Sequence, residues 1–394
     1  MDIKKIQTAL KEKGVDGWLL CDFHNRDHLA YRVLGLDFKK MTSRRWYYLI
    51  PAQGEPIRLV SAVEPARLDA LPGEKRFYRA WGELHAALKT MLGAPKKLAM
   101  QYSPLNNIPY VGLVDAGTIE LVRSLGVEVI TSADLVQQFE AHWSPEALAL
   151  HLQAGKAIDR IVRDAFATIG DAARANREIT EYDVQQLILR LFALDDLETA
   201  EPPIVAANEN TANPHYVPEE ANSRPIHPGD FVLLDVWAKC RKPGAVYYDI
   251  TWTGFVGDEV PAHYARIFAV VREARDAAVD FVRRARCEQR TVYGYEVDDM
   301  ARGVIASRGY GEFFIHRTGH SIGEEVHGNG ANMDNFETHD ERRIIPGTCF
   351  SIEPGIYLAD FGVRSEVNVY VEETEARVTG ETQQTVVPIL AAAP

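Results

Sequence analysis

The sequence predicts two domains, an α/β domain followed by an α+β domain built on an antiparallel sheet flanked by helices. Three observations predict it. At 394 residues the chain exceeds what one ordinary core holds. Its first third alternates short apolar strands with helical stretches, which is the rhythm of an α/β unit. The remainder interleaves helices with extended strands but has no regular βαβ repeat.

The helical pattern over residues 3–13 stops at Gly14. Trp18-Leu19-Leu20 then opens a strand. Apolar runs over residues 47–50 and 57–60 bracket Gly54 and predict a hairpin. Residues 97–100 and 127–130 read as further strands, with a helix over 116–124 between them. This domain carries neither a phosphate-cradling glycine loop nor a nucleophile elbow, so no catalytic chemistry is assigned to it. Ser144 followed by Pro145 is a cap and first-turn pair that opens a helix to about residue 169. The boundary falls at residue 143 and divides the chain into 1–143 and 144–394. A second helix spans residues 180–192, capped by Thr180. Strands are predicted over 231–238, 247–256, 348–358 and 363–372. The helix over 265–285 places Val271, Ala274, Ala278 and Phe281 on one face.

The composition, 46% hydrophobic and 25% charged, is that of a soluble globular protein. No apolar stretch reaches the roughly 20 residues of a membrane span, and residues 1–5 lead into an amphipathic segment rather than a signal peptide core. The expected compartment is therefore the cytoplasm, with no membrane partner. Cys21, Cys240, Cys287 and Cys349 form no CxxC pair and read as reduced, small hydrophobes. A formal charge of −13 argues against a nucleic-acid partner, whose phosphates would be repelled.

Four carboxylates stand in unusual places. Asp235 lies inside Phe231-Val232-Leu233-Leu234-Asp235-Val236-Trp237, and Asp249 inside Tyr247-Tyr248-Asp249-Ile250-Thr251-Trp252. Glu353 sits in Phe350-Ser351-Ile352-Glu353-Pro354-Gly355, and Glu366 in Val363-Arg364-Ser365-Glu366-Val367. Aspartate is depleted in strands, and a buried ionised carboxylate is costly unless paired or bound to metal. One such residue fits the wet face of a sheet; four in one domain point to a site. His316, His320 and His327 fall within a single glycine-punctuated segment. Two bridging carboxylates, two terminal ones and an imidazole make a coherent dinuclear centre, because four negative ligands balance two divalent ions. Oxygen-rich ligation with one imidazole and no thiolate suits manganese, with cobalt, zinc and iron left open.

Leu234-Asp235, Tyr248-Asp249-Ile250-Thr251, Gly319-His320-Ser321-Ile322-Gly323, Ile352-Glu353-Pro354-Gly355-Ile356-Tyr357 and Arg364-Ser365-Glu366 resemble, in order and spacing, the motifs of the pita-bread metallopeptidases. That family includes methionine aminopeptidase, aminopeptidase P and Xaa-Pro dipeptidase (prolidase). The resemblance covers about residues 145–385, and the preceding domain resembles the creatinase/prolidase N-terminal domain in length and pattern. It implies a curved antiparallel sheet, a homodimer, and two divalent metal ions held by Asp235, Asp249, His320, Glu353 and Glu366. Asp249 and Glu366 would bridge, and Asp235 would bind one metal through both oxygens. It further implies hydrolysis of Xaa-Pro bonds in dipeptides or short peptides by a metal-bridging hydroxide. Glu353 would shuttle the proton, His215 and His327 would stabilise the oxyanion, and His316 and Arg364 would support them. Trp237 stands where much of the family has glycine, which places a bulky side chain beside the substrate. Dipeptidase and aminopeptidase activities both remain open at this point. Rival readings are a creatinase-like C–N hydrolase without metal and a non-catalytic binding module of the same fold. The filled ligand positions and the acidic balance disfavour both.

Overall fold

A computed structural model of the protein describes residues 2–93 and 96–391. The chain divides into two compact units, Met1–Glu140 and Ala141–Pro394. Among the described residues no helix is long and apolar enough to cross a membrane.

The first unit runs α1 (Ile3–Glu12), β1 (Gly17–Asp22), α2 (His28–Leu34), β2 (Trp46–Pro51), β3 (Ile57–Ser61), β4 (Glu74–Tyr78), α3 (Trp81–Leu92), β5 (Lys97–Met100), α4 (Ala116–Ser124), β6 (Glu128–Thr131) and α5 (Ala133–Glu140). Among the described residues its six strands lie in the order β4-β3-β2-β1-β5-β6. Only β2 runs against the others, and it forms the expected hairpin with β3. Gly54 turns that hairpin in the left-handed region, at φ +100. Both faces of the sheet are covered. Trp18, Leu20, Trp46 and Tyr48 pack into one core, while Leu19, Cys21, Tyr47 and Leu49 pack into the other. Burial on both faces explains why these strands read as continuous apolar runs rather than alternating ones.

The second unit opens with α6 (Pro145–Arg174), for which Ser144 Oγ accepts the amide of Ala147 at 3.1 Å. There follow α7 (Glu181–Leu194), β7 (Leu197–Glu198), β8 (Ile204–Ala207), β9 (Phe231–Cys240), β10 (Tyr248–Phe255), α8 (Ala262–Cys287), α9 (Gly294–Ser307), β11 (Ser321–Ile322), β12 (Cys349–Ile352), β13 (Gly355–Tyr357), β14 (Gly362–Arg364), β15 (Val367–Val371), β16 (Ala376–Thr379) and β17 (Val387–Pro388). Strand β9 is the spine, pairing antiparallel with β10, β7 and β8. A second sheet, β11-β12-β15-β16, is antiparallel throughout, as is the pair β13-β14. Strand β17 is the parallel exception, on β10.

Two predicted strands need correction. Residues 348–358 form β12 and β13 in different sheets, interrupted at Glu353-Pro354, and residues 363–372 form β14 and β15, interrupted at Ser365-Glu366. Proline supplies no ladder donor, so the first break is legible at Pro354 once tertiary pairing is known. Each break falls at a carboxylate and frees it from the alternation of a regular strand.

Period two also fixes what β9 offers. Val232, Leu234, Val236 and Ala238 face the helices α6 and α7 in one core. Leu233, Asp235 and Trp237 therefore point to the opposite face.

A buried histidine ties α6 to the sheets. His151 Nδ1 lies 2.7 Å from the Tyr247 carbonyl and Nε2 lies 2.7 Å from Thr379 Oγ1. Nδ1–H donates to the carbonyl and Nε2 accepts the hydroxyl, so the ring is held neutral. Burial pushes its pKa down to about 4, against the pull of the carbonyl. The unfolded chain binds this proton near pH 6.5 and the folded one only near pH 4, so stability falls as pH drops through that window. About 3 kcal/mol should be lost from this group alone. Urea midpoints should fall between pH 7 and pH 4.5, and His151→Gln, less stable at pH 7, should lose distinctly less over the same interval.

Candidate metal centre

The register of β9 against β10 sets Thr251 opposite Asp235 and Asp249 opposite Trp237. Two-residue alternation then brings Asp235, Asp249 and Thr251 onto one face. His320 reaches this face from the residue before β11, Glu353 from the β12–β13 break and Glu366 from the β14–β15 break. His320, Asp249 and Glu366 each contribute one ligand-type atom, and these lie within 4.8 Å of one another. Glu353 joins them, with Oε1 at 3.4 Å from His320 Nε2, beside Asp249 Oδ2 at 3.5 Å from the same nitrogen. Asp235 is linked through Thr251, whose Oγ1 is 2.9 Å from Asp235 Oδ1 and 2.9 Å from Glu366 Oε2. All five predicted ligands thus converge.

The donor set fits divalent cations on this structure's own terms. Asp249 Oδ1 and Glu366 Oε1 are buried without any hydrogen-bond partner. Thr251 has one hydroxyl proton and so can serve only one of the two carboxylates it touches. His320 Nδ1, 3.1 Å from the Ser321 carbonyl, holds the ring proton, so Nε2 turns a lone pair toward two carboxylates. Acceptors outnumber protons, which is the donor chemistry that suits a bound cation. The titration behaviour agrees. Burial, with Asp235 alongside, drives Asp249 well above the usual carboxylate range. Burial and then Asp249, Glu353 and Asp235 do the same to Glu366. Burial raises Glu353 also, opposed by His320 and Arg364, and burial lowers His320.

Arg364 is the fixed cation. Its Nη2 donates to Asp235 Oδ2 at 2.5 Å, Nε to Thr251 Oγ1 at 3.0 Å and Nη1 to Tyr357 Oη at 2.9 Å. Burial would depress its pKa, but Tyr357, Asp235, Glu353 and Glu366 outweigh that and raise it. The Tyr357 hydroxyl in turn lies 2.8 Å from His316 Nε2, while His316 Nδ1 lies 2.7 Å from the Arg317 carbonyl. Burial and the Arg364 charge hold the His316 pKa near 3, so this ring is neutral and its two nitrogens are already engaged.

The backbone that delivers His320 is closely packed. A Cβ on Gly319 would lie 1.9 Å from the Ser351 carbonyl oxygen, so only glycine fits there. Ser351 Oγ accepts the His320 amide at 2.9 Å and donates to Glu353 Oε1 at 3.0 Å. Asp298 Oδ1 accepts both the amide and the hydroxyl of Thr318, at 3.0 and 2.6 Å. Thr251, Ser351, Tyr357 and Asp298 thus build the site although no role was read for them in the sequence. For Thr251 the signal was available, since it stands two residues from Asp249 on a strand.

The remaining predicted residues lie around this cluster. His327 sits edge-on to His320 with ring centroids 4.4 Å apart. A proton on His327 is opposed first by the adjoining His320 ring, then by desolvation, Arg317 and His215, which lower its pKa although the side chain is exposed and solvent weakens the effect. His215 is exposed in the loop after β8, its amide held by Asn213 Oδ1 at 3.1 Å. The adjoining Tyr216 donates at 2.6 Å to the buried Glu181, which also accepts the amides of Ala207 and Arg224. Trp237, half-buried, packs with Tyr216 against Ile204, Ala206 and Leu233, at the margin of the carboxylate face.

Residues 149–373 match the family model described as metallopeptidase family M24. The chain is 30% identical over 238 residues to the Xaa-Pro dipeptidase of Lactobacillus helveticus, covering 59% of this chain and 58% of that protein. It is 36% identical over 216 residues to the Xaa-Pro dipeptidase of Lactobacillus delbrueckii subsp. lactis, covering 54% of this chain and 53% of that one. The alignments therefore span little more than half the length of these relatives. Among solved structures, the dipeptidase PepE of Mycobacterium ulcerans superposes with a TM-score of 0.67 at 25% identity, covering 98% of this chain and 96% of that one.

Proposed function

This chain belongs to metallopeptidase family M24, with the pita-bread fold, and from that premise we propose that it hydrolyses Xaa-Pro dipeptides with two divalent metal ions. The observation that carries the reading is the convergence of four carboxylates and one imidazole with two buried carboxylate oxygens left without a donor. Asp235, Asp249, His320, Glu353 and Glu366 would hold the ions, with manganese best suited to so oxygen-rich a set. Bound there, the ions would supply Lewis acidity and lower the pKa of a water between them.

The chain's own groups divide the rest of the work. Glu353 is the least enclosed of the carboxylates, with 16% of its side chain accessible against 6% for Asp249. It is also oriented by Ser351, which suits it to carry a proton between water and the departing proline nitrogen. His327 and His215 offer ring donors to the developing oxyanion. Arg364, Tyr357 and His316 form a rigid relay that fixes Asp235 from behind. Trp237 limits the space beside the ligands and favours short substrates. The curated relatives' names favour a dipeptidase over an aminopeptidase. The first unit serves as the creatinase/prolidase-type N-terminal domain, and the protein works as a cytoplasmic homodimer.

Metal-stripped protein should be inactive on Gly-Pro and Ala-Pro and regain cleavage on adding manganese. Xaa-Pro-Yaa peptides should be cut poorly; efficient release of Xaa from them would assign an aminopeptidase instead. Protein that binds metal yet cuts neither class would retain the metal site and lose the proline preference. Light scattering that found only monomers would remove the dimer.

A further inference from the structure

The first unit contains a crevice of about 760 Å³ that no part of the proposed chemistry uses. Its place follows from topology. The chain leaves β1 toward β2, β3 and β4 on one side, then returns to lay β5 and β6 on the other. The sequence of strands therefore reverses between β1 and β5. In open α/β sheets the carboxyl ends of the strands at such a reversal leave a gap between diverging loops, and ligands bind there. The crevice is lined by residues that follow β1, β4 and β5 and by those that precede the antiparallel β2, which all lie at that one edge.

Its polar lining includes groups without close partners. Asp27, 1% exposed, uses Oδ1 to cap α2 by accepting the Ala30 amide at 2.8 Å, while Oδ2 is buried without a partner. The neighbouring Asp22 is by contrast fully engaged, by the amides of Asn25, Arg26 and Asp27 and by the Tyr31 hydroxyl. Among the described residues Arg26, Arg44 and Arg45 form no close ion pair, although Arg26 is near enough to Asp115, which also lines the crevice, to help lower its pKa. Arg26 stacks over Phe23, 5.5 Å from its ring centre, and Arg44 bonds only to Ser43. The Trp81 ring, 74% exposed, completes the wall beside the largely buried Tyr47. A carboxylate oxygen lacking a donor, guanidinium groups without a close ion pair and an aromatic wall in one crevice describe the complement of an amino acid.

We propose that this crevice binds a free amino acid with an apolar side chain, its carboxylate against Arg26, Arg44 and Arg45 and its ammonium group against Asp27. It is a second site, lined by residues of the first unit alone. The probes are L-phenylalanine, N-acetyl-L-phenylalanine and L-phenylalaninamide, titrated calorimetrically into the full chain. Phenylalanine should saturate, and each blocked analogue should bind roughly tenfold or more weakly, because each removes one charged end. Asp27→Asn keeps an oxygen for the α2 cap, and Arg45→Ala removes a rim charge; both should weaken phenylalanine about tenfold. Neither should alter cleavage of Ala-Pro or the folded circular dichroism spectrum. Absence of saturable phenylalanine binding would overturn the proposal. So would equal affinity for the acetylated analogue, which would mark a site for anions only, or unchanged affinity in Asp27→Asn. Because binding is read directly, the result stands whether or not the protein proves to be a dipeptidase.

Discussion

Glu366→Gln should stabilise the metal-free protein while abolishing its peptidase activity. In the absence of metal, Glu366 is buried among Asp235, Asp249 and Glu353, and burial together with those charges raises its pKa well above normal. Keeping it ionised at neutral pH therefore costs folding free energy. Glutamine has the same shape, keeps an oxygen for Thr251, which now bonds Oε2 at 2.9 Å, and adds two N–H donors. Those donors come within reach of Asp249, whose Oδ1 has no partner. Neutralising one member of a buried cluster whose carboxylates outnumber its one arginine should gain about 1–3 kcal/mol, a rise of several degrees in melting temperature. The same change removes a proposed bridging ligand. Loss of an outer-shell partner alone lowers metal affinity roughly 10–100-fold, so loss of a ligand should cost more than about a hundredfold in manganese affinity. The check is a thermal melt in chelator beside metal content and Ala-Pro turnover. A variant that melts lower than the parent without metal would mean that the carboxylates are not in electrostatic conflict. One that keeps a full complement of manganese would remove Glu366 from the ligand set.

This opposition between stability and activity also explains what could be read from the sequence. Asp235 and Asp249 were legible because an ionisable residue in an apolar run contradicts its surroundings, and the strand period then dictates that Asp235, Asp249 and Thr251 share a face. Glu353 and Glu366 were legible as residues but not as places. Both lie where a predicted strand breaks, and the break depends on which sheet each half joins, a long-range pairing that no local pattern contains. The N-cap at Ser144 and the glycine after α1 are local devices and appear where the sequence put them. Asp298 was beyond reach for a different reason. It stands in a helix, where an acidic residue is ordinary, and only the packing of α9 against the Thr318 loop makes it a buried acceptor. The crevice in the first unit is of the same kind, since its arginines belong to separate loops that meet only in the folded sheet.

Arg364→Met should be the most destabilising single change at the site, and metal should repair much of the damage. Arg364 is 3% exposed and donates to Asp235, Thr251 and Tyr357 at once. Methionine fills a similar volume but leaves Asp235 Oδ2 and the Tyr357 hydroxyl without their donor. Removing one member of a buried charged pair typically costs about 3–5 kcal/mol, because the other charge stays behind. In chelator the urea midpoint should drop accordingly. Divalent cations bound by the carboxylates would restore positive charge beside Asp235, so manganese should raise the melting temperature of Arg364→Met by more than it raises that of the parent. Arg364→Lys should fall between the two. It keeps the charge, but its single ammonium group cannot reproduce a fork that reaches three partners in different directions. An equal manganese effect on all three proteins would show that Arg364 and the metals do not share the task of neutralising Asp235. Activity separates the two roles further. If Arg364 only positions Asp235 through Tyr357 and Thr251, the lysine variant should recover part of its turnover at saturating manganese with an unchanged KM for Ala-Pro. A raised KM at full metal occupancy would instead place the guanidinium in contact with the substrate.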